Sequence, residues 1–233
     1  MSWDQEEVNE SRERVQREIN KRRARGEALT PLEVPQKSRK LSQTFWGQAW
    51  CKNLESYQHY ETRLPRGRSY LRNGKVLDLT IEPGTLSAVV AGGELYDTLI
   101  HIQPLKPEDW QEIVKASQGQ VNSLLDLLTG KLGDGLMQIL TDPESGLFPK
   151  PKEIRFDCSC PDHADLCKHA SAVLYGVGVL LDTRPELLFT LRGVDQADLL
   201  ASAGAASAAG LAETESELAG TDLSALFGID LAE

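Results

Sequence analysis

Apolar residues recur along this chain with periods that change from segment to segment. Trp46, Trp50 and Leu54 fall at every fourth residue, one stripe of a short helix. Leu77, Leu79 and Ile81 then alternate with Asp78, Thr80 and Glu82, the pattern of a half-buried strand. Pro83-Gly84 turns the chain into 86–90, and Gly92-Gly93 turns it again into 95–102. Upstream, 67–71 meets 76–82 across Asn73-Gly74, a pair that accepts positive φ and therefore predicts a hairpin. The expectation is an antiparallel meander of about four strands.

Helical periods follow. Trp110, Ile113 and Val114 form one stripe; Val121, Leu124, Leu125 and Leu128 form a second, ending at Gly130. Leu132, Leu136, Ile139 and Leu140 form a third, ending before Pro143. Pro149 and Pro151 lead into a short strand at 153–157. A helix from about 167 to 181 has Ala170, Val173, Leu174, Val177 and Leu181 at its apolar positions, and a last helix spans 185–191. The fold class is α+β: an antiparallel β-meander with helices and a small ββα-like finger.

The ends differ from this middle. In 4–25 only Val8, Val15 and Ile19 are apolar, while Glu10/Arg14, Glu13/Arg17 and Glu18/Arg22 are helix-favouring i,i+4 pairs. A solvated, frayed helix is expected, with a nucleic-acid- or partner-binding arm as the other reading. Gly26, Pro31 and Pro35 mark a linker, so 1–40 forms an arm and linker, 41–152 an α+β domain and 153–193 the finger and following helix. Alanine, serine and glycine dominate the start of 194–220, a flexible linker. At 221–233, Leu223, Leu226, Phe227, Ile229 and Leu231 return between acidic residues, a short docking motif or a turn that folds back.

Composition narrows the function. The 233 residues carry 40% hydrophobic and 26% charged side chains, enough for a buried core. No apolar run approaches the ~20 residues of a membrane helix, and the acidic start lacks the basic and apolar regions of a signal peptide. A cytoplasmic location is expected. The net charge of −10 conceals a gradient: 1–75 carries +6, 76–192 carries −8 and 193–233 carries −8. The basic part could still present a positive face to nucleic acid.

The sharpest chemistry lies in Cys158-Ser-Cys160, six residues, then Cys167-Lys-His169. Two cysteines one residue apart can reach one ion if the backbone turns between them, and Pro161 bends it there. Cys167 and His169 follow at the opening of a helix, whose N-terminus stabilises thiolate charge. Three thiolates and one imidazole make a zinc site, with Lys168 able to offset its net negative charge. His163, in the spacer, is the alternative nitrogen ligand. Cys51 stands apart on the tryptophan helix and reads as a small buried group.

This arrangement resembles the SWIM-type zinc finger: Cys-x-Cys, a short spacer and Cys-x-His, preceded by a strand and opening a helix. The segments FWGQAWCKNLE, RLPRGRSYLRNGKVLDLTIEPG, LFPKPKEIRFDCSCPDHADLCKHASAVLYGVG and RPELLFTLRGV resemble a bacterial group of SWIM zinc finger proteins, across 45–194. The resemblance implies Cys158, Cys160, Cys167 and His169 as zinc ligands and a module for DNA binding or protein contact. It further suggests a link to Snf-type helicase-like ATPases.

Four strong ligands close a zinc site, whereas a catalytic zinc keeps an open position. There is no His-Glu-x-x-His, deaminase or phosphate-loop pattern, so no enzymatic activity is expected. For nucleic acid, 37–75 carries a net +7, with Arg63, Arg66, Arg68 and Arg72 among Tyr57, Tyr60 and Tyr70. Asp157, Asp162 and Asp165 make the finger itself acidic. Any DNA contact is therefore expected at the arginines, and protein contact at the finger; a pure protein-interaction scaffold is the alternative.

Overall fold

A computed structural model describes residues 5–34, 38, 40–57, 60–118, 120, 133–162 and 164–201. In chain order these form α1 (Gln5–Ala24), α2 (Phe45–Glu55), α3 (Leu64–Arg72), β1 (Val76–Glu82), β2 (Thr85–Ala91) and β3 (Leu95–Ile102). Then come α4 (Pro107–Ala116), α5 (Asp134–Leu140), a 3-10 turn at Pro151–Glu153, β4 (Ile154–Cys158), α6 (Lys168–Leu180) and α7 (Glu186–Arg192). The strands form one antiparallel sheet in the order β1-β2-β3-β4, so the fold is α+β as the periods predict. Among the described residues no helix is long and apolar enough to cross a membrane.

One expected element is corrected. Asn73-Gly74 does not join two strands; it ends α3. Pro65 occupies the first helical turn, where its missing N–H has no partner to lose, and Leu64, Gly67 and Leu71 bury one face. Gly74 takes φ +64°, and the amides of Gly74 and Lys75 return to the carbonyls of Leu71 and Tyr70. A left-handed residue serves a helix C-terminus as well as a hairpin turn. The fourth strand is instead β4, paired to β3 with Thr98 opposite Cys158 and Ile102 opposite Ile154.

The core gathers around α6. This helix is apolar on every side and buried from His169 to Val179, as befits a helix packed between layers. The sheet covers one flank, α2 and α3 the other. Close crossings depend on glycine: a Cβ on Gly67 would lie 2.0 Å from Ser171 Oγ, and one on Gly47 would lie 2.2 Å from the Gly178 carbonyl. Trp50 donates its indole N–H to the Leu174 carbonyl at 2.8 Å, tying the predicted tryptophan stripe to α6. Asp182, beyond the far end of α6, accepts from the Thr44 amide and hydroxyl (2.9 and 2.8 Å), the Gln43 amide and the Ser42 hydroxyl. It caps the start of α2 from a distance.

The ends engage this body. Arg22 on α1 forks onto Asp97 of β3 at 2.7 and 2.8 Å, and Arg14 faces Glu94 at 3.7 Å. The Leu32 amide bonds to the Val76 carbonyl, the Thr30 amide to Asp78, and Val34 is buried, so part of the segment read as linker lies along β1. Leu199 is also buried, and Trp110 donates to Asp198 at 2.8 Å, which carries the packed body past Gly193. The expected helix with Val121, Leu124, Leu125 and Leu128 falls outside the described residues, as do 202–220 and the motif at 221–233.

Candidate metal centre

Each of the four predicted ligands comes from a differently held point of the chain. Cys158 is the last residue of β4. The next residue locks the strand end: the Ser159 amide bonds to the Asp97 carbonyl at 3.0 Å, and the Ser159 hydroxyl accepts from the Asp97 amide at 3.1 Å. Cys160 is buried in the following bend. The spacer returns through Asp162, which accepts from the Ala164 amide on one oxygen and from Arg63 at 3.2 Å on the other. Cys167 is the N-cap of α6, its sulfur accepting from the Ala170 amide at 3.4 Å. His169 lies in the first turn of that helix.

The three sulfurs and one histidine nitrogen all lie within 4.8 Å of one another. His169 Nδ1 is 3.8 Å from Cys158 Sγ and 3.9 Å from Cys167 Sγ. A zinc tetrahedron with Zn–N and Zn–S bonds of about 2.0–2.3 Å has edges of roughly 3.6–3.8 Å, so the donor set fits zinc in chemistry and spacing. His163, the alternative ligand, falls outside the described residues.

The sulfurs are electrostatically unequal. Donation from the Cys167 thiol, with further help from His169 and Thr98, holds Cys158 far below the usual thiol range despite burial. That same shared bond, reinforced by burial, pushes Cys167 up, and burial raises Cys160. Cys51 lies elsewhere; burial pushes its thiol up to about 12, as befits an inert structural cysteine.

The imidazole is held by residues that ligand spacing does not reveal. Tyr96 stacks on it at a centroid distance of 4.3 Å, and Tyr70 meets it edge-on at 5.4 Å. Gly92 leaves room: a Cβ there would lie 2.8 Å from Tyr96 Cε2 and 3.1 Å from His169 Nε2. Nε2 itself is buried with no hydrogen-bond partner among the described residues. Lys168 places its ammonium 5.3 Å from the Tyr70 ring centroid.

The four candidate nucleic-acid arginines sit on or beside α3, not on a hairpin. Arg63 pairs with Asp162, Arg68 with Glu55 while resting over the Tyr175 ring, and Arg72 donates to the Ser38 carbonyl at 2.9 Å. Arg66 is exposed. The neighbouring tyrosines turn inward: Tyr57 donates to the Pro149 carbonyl and Tyr60 packs edge-on against Phe156.

Residues 156–177 match the family model for the SWIM zinc finger, a span that contains all four clustered ligands. The chain is also 32% identical over 175 residues to uncharacterized protein Rv2102 of Mycobacterium tuberculosis. That alignment covers 74% of this chain and 63% of the relative, so this chain spans less than two thirds of the relative's length. No solved structure matches.

Proposed function

Since the chain carries a SWIM zinc finger, we propose that it binds one zinc ion and works as a non-catalytic adaptor in DNA-linked assemblies, meeting DNA, protein or both. The closure of the donor set carries this reading. Four ligand atoms within 4.8 Å of one another, three of them on buried residues, use every tetrahedral position and leave none for a reacting water. When bound, zinc supplies a cross-link. The chain's own residues do the rest: β4 and the N-terminus of α6 bring the donors together, and the Ser159–Asp97 bonds fix the strand end. Elemental analysis of protein prepared without chelator tests this, with one zinc per chain expected. His169→Ala should lose the ion and Cys51→Ser should keep it; zinc retained by His169→Ala would remove the ligand assignment.

A protein-only scaffold is the second reading. It is favoured by the internal pairing of Arg63, Arg68 and Arg72, which leaves Arg66 as the exposed member of that group. Gel shifts with short duplex DNA over a salt series separate the two. A DNA-binding adaptor loses affinity log-linearly with salt and weakens on Arg66→Glu, whereas a scaffold gives no shift at any salt. Co-purification with a Snf-type helicase-like ATPase is the corresponding test of a protein partner.

A further inference from the structure

The sheet has two edges, β1 and β4, and the chain treats them differently. Thr30 and Leu32 bond along β1. At β4, the Gln103 amide bonds to the Glu153 carbonyl and the Ser159 amide to the Asp97 carbonyl, marking the two ends of the ladder with β3. With Asp157 opposite Leu99 and Arg155 opposite His101, alternate residues 153, 155, 157 and 159 aim their backbone groups at β3. Phe156 therefore aims its N–H and C=O outward, and neither has a partner among the described residues. Unpaired edges of this kind invite another strand.

Along this edge runs a groove of about 680 Å³. Half-buried Phe156 and Ala164 with buried Tyr60 give it an apolar floor. Among the described residues, Asp157, Asp162 and Asp165 line it against one cation, Arg155, and Asp162 is neutralised by Arg63. The chain's own tail is a poor occupant, because 202–233 holds six acidic residues and no basic one.

We propose that the β4 edge receives an extended lysine- or arginine-rich peptide from a partner protein as a fifth strand of the sheet. Backbone pairing at Phe156 supplies the register, and basic side chains meet Asp157 and Asp165. Arg155 sets the exception: the residue opposite it is not basic. The groove takes one wall from the metal-bound loop, so the inference rests on the zinc reading above.

The test uses the zinc-loaded full chain and a labelled nonapeptide of alternating lysine and valine whose central lysine is replaced by serine, the position that lies opposite Arg155, followed by anisotropy and amide exchange. Controls are the same peptide with glutamate for lysine and the lysine peptide N-methylated at alternate residues. The lysine peptide should bind about ten-fold or more tightly than either control and should slow exchange at the Phe156 amide. Asp157→Lys with Asp165→Lys should reverse the charge preference while zinc stays at one per chain. Equal binding of all three peptides, or protection away from β4, overturns the proposal. So does a Phe156 amide already protected without peptide in a self-associated chain, or protected by duplex DNA instead. Protein that never holds zinc fails the metal reading, whereas zinc-loaded protein that ignores the lysine peptide fails only this one.

Discussion

Tyr96 lies nearly parallel to His169, its ring centroid 4.3 Å away and its plane 27° off. The two residues come from opposite layers, the start of β3 and the start of α6. The sheet therefore aims a ligand that the helix carries.

Gly92→Ala should disturb that aim, since its new methyl would strike both Tyr96 and His169 Nε2. Loss of such supporting contacts lowers metal affinity about 10- to 100-fold. Competition with a chromophoric zinc chelator reads the change, and Gly93→Ala, where a Cβ would meet only the Tyr96 hydroxyl at 3.7 Å, should leave affinity near that of the parent chain.

Chelation should destabilise the molecule as one unit. Sequence periods suggest that 41–140 could persist alone, but α6 begins inside the ligand cluster and forms the centre of the core. At free zinc about 1,000 times the Kd, the ion contributes about 4 kcal/mol, which moves the melting midpoint by roughly 8–16 °C. Calorimetry with and without chelator should show one transition shifting downward; a second, unshifted transition would mean that the meander folds independently.

Gly67→Ala should cost about 3 kcal/mol, because the added Cβ meets the Ser171 backbone carbon at 2.7 Å as well as its hydroxyl. Rotating the serine cannot relieve a backbone clash. Urea unfolding of the zinc-loaded protein measures the loss. Gly26→Ala has nothing within 4 Å but holds φ +89°, so any cost there is one of backbone strain.

The docking of α1 should weaken in acid. Arg22 holds the Asp97 carboxyl below its usual value of 3.8. The pair's contribution is therefore present above that value and is lost as pH falls through the depressed one. Asp97 keeps 62% of its side chain exposed, so the stake is only about 0.5 kcal/mol, and salt should erode it. The protection factors of the α1 amides, with exchange normalised to the intrinsic rate at each pH, should fall below about pH 4 and in high salt, and Arg22→Ala should abolish both responses.

Much of the site was legible because its ligands are close in sequence. Cys158, Cys160, Cys167 and His169 span one turn and one helix start, so spacing alone implies convergence. The tryptophan stripe of α2 and the strands through Ile102 were legible for a similar reason: local period records the buried face. Asn73-Gly74 misled because its chemistry specifies a left-handed residue, not what precedes it; the helix was decided by Pro65 and by the packing of Gly67 on Ser171. The internal pairing of the arginines was not legible, because their partners Ser38, Glu55 and Asp162 are far away or on other elements. Tyr96 and Gly92 gave no signal, since only the fold brings them to the ligand cluster.

Asp182 stands 138 residues after the Thr44 amide that it caps. At synthesis rates of about 5–20 residues per second, α2 leaves the ribosome on the order of ten seconds before the carboxylate that secures its first turn. During that wait Trp46 and Trp50 have neither cap nor α6 to cover them. The nascent chain thus shows two large indole rings to solvent at α2 until α6 has been made.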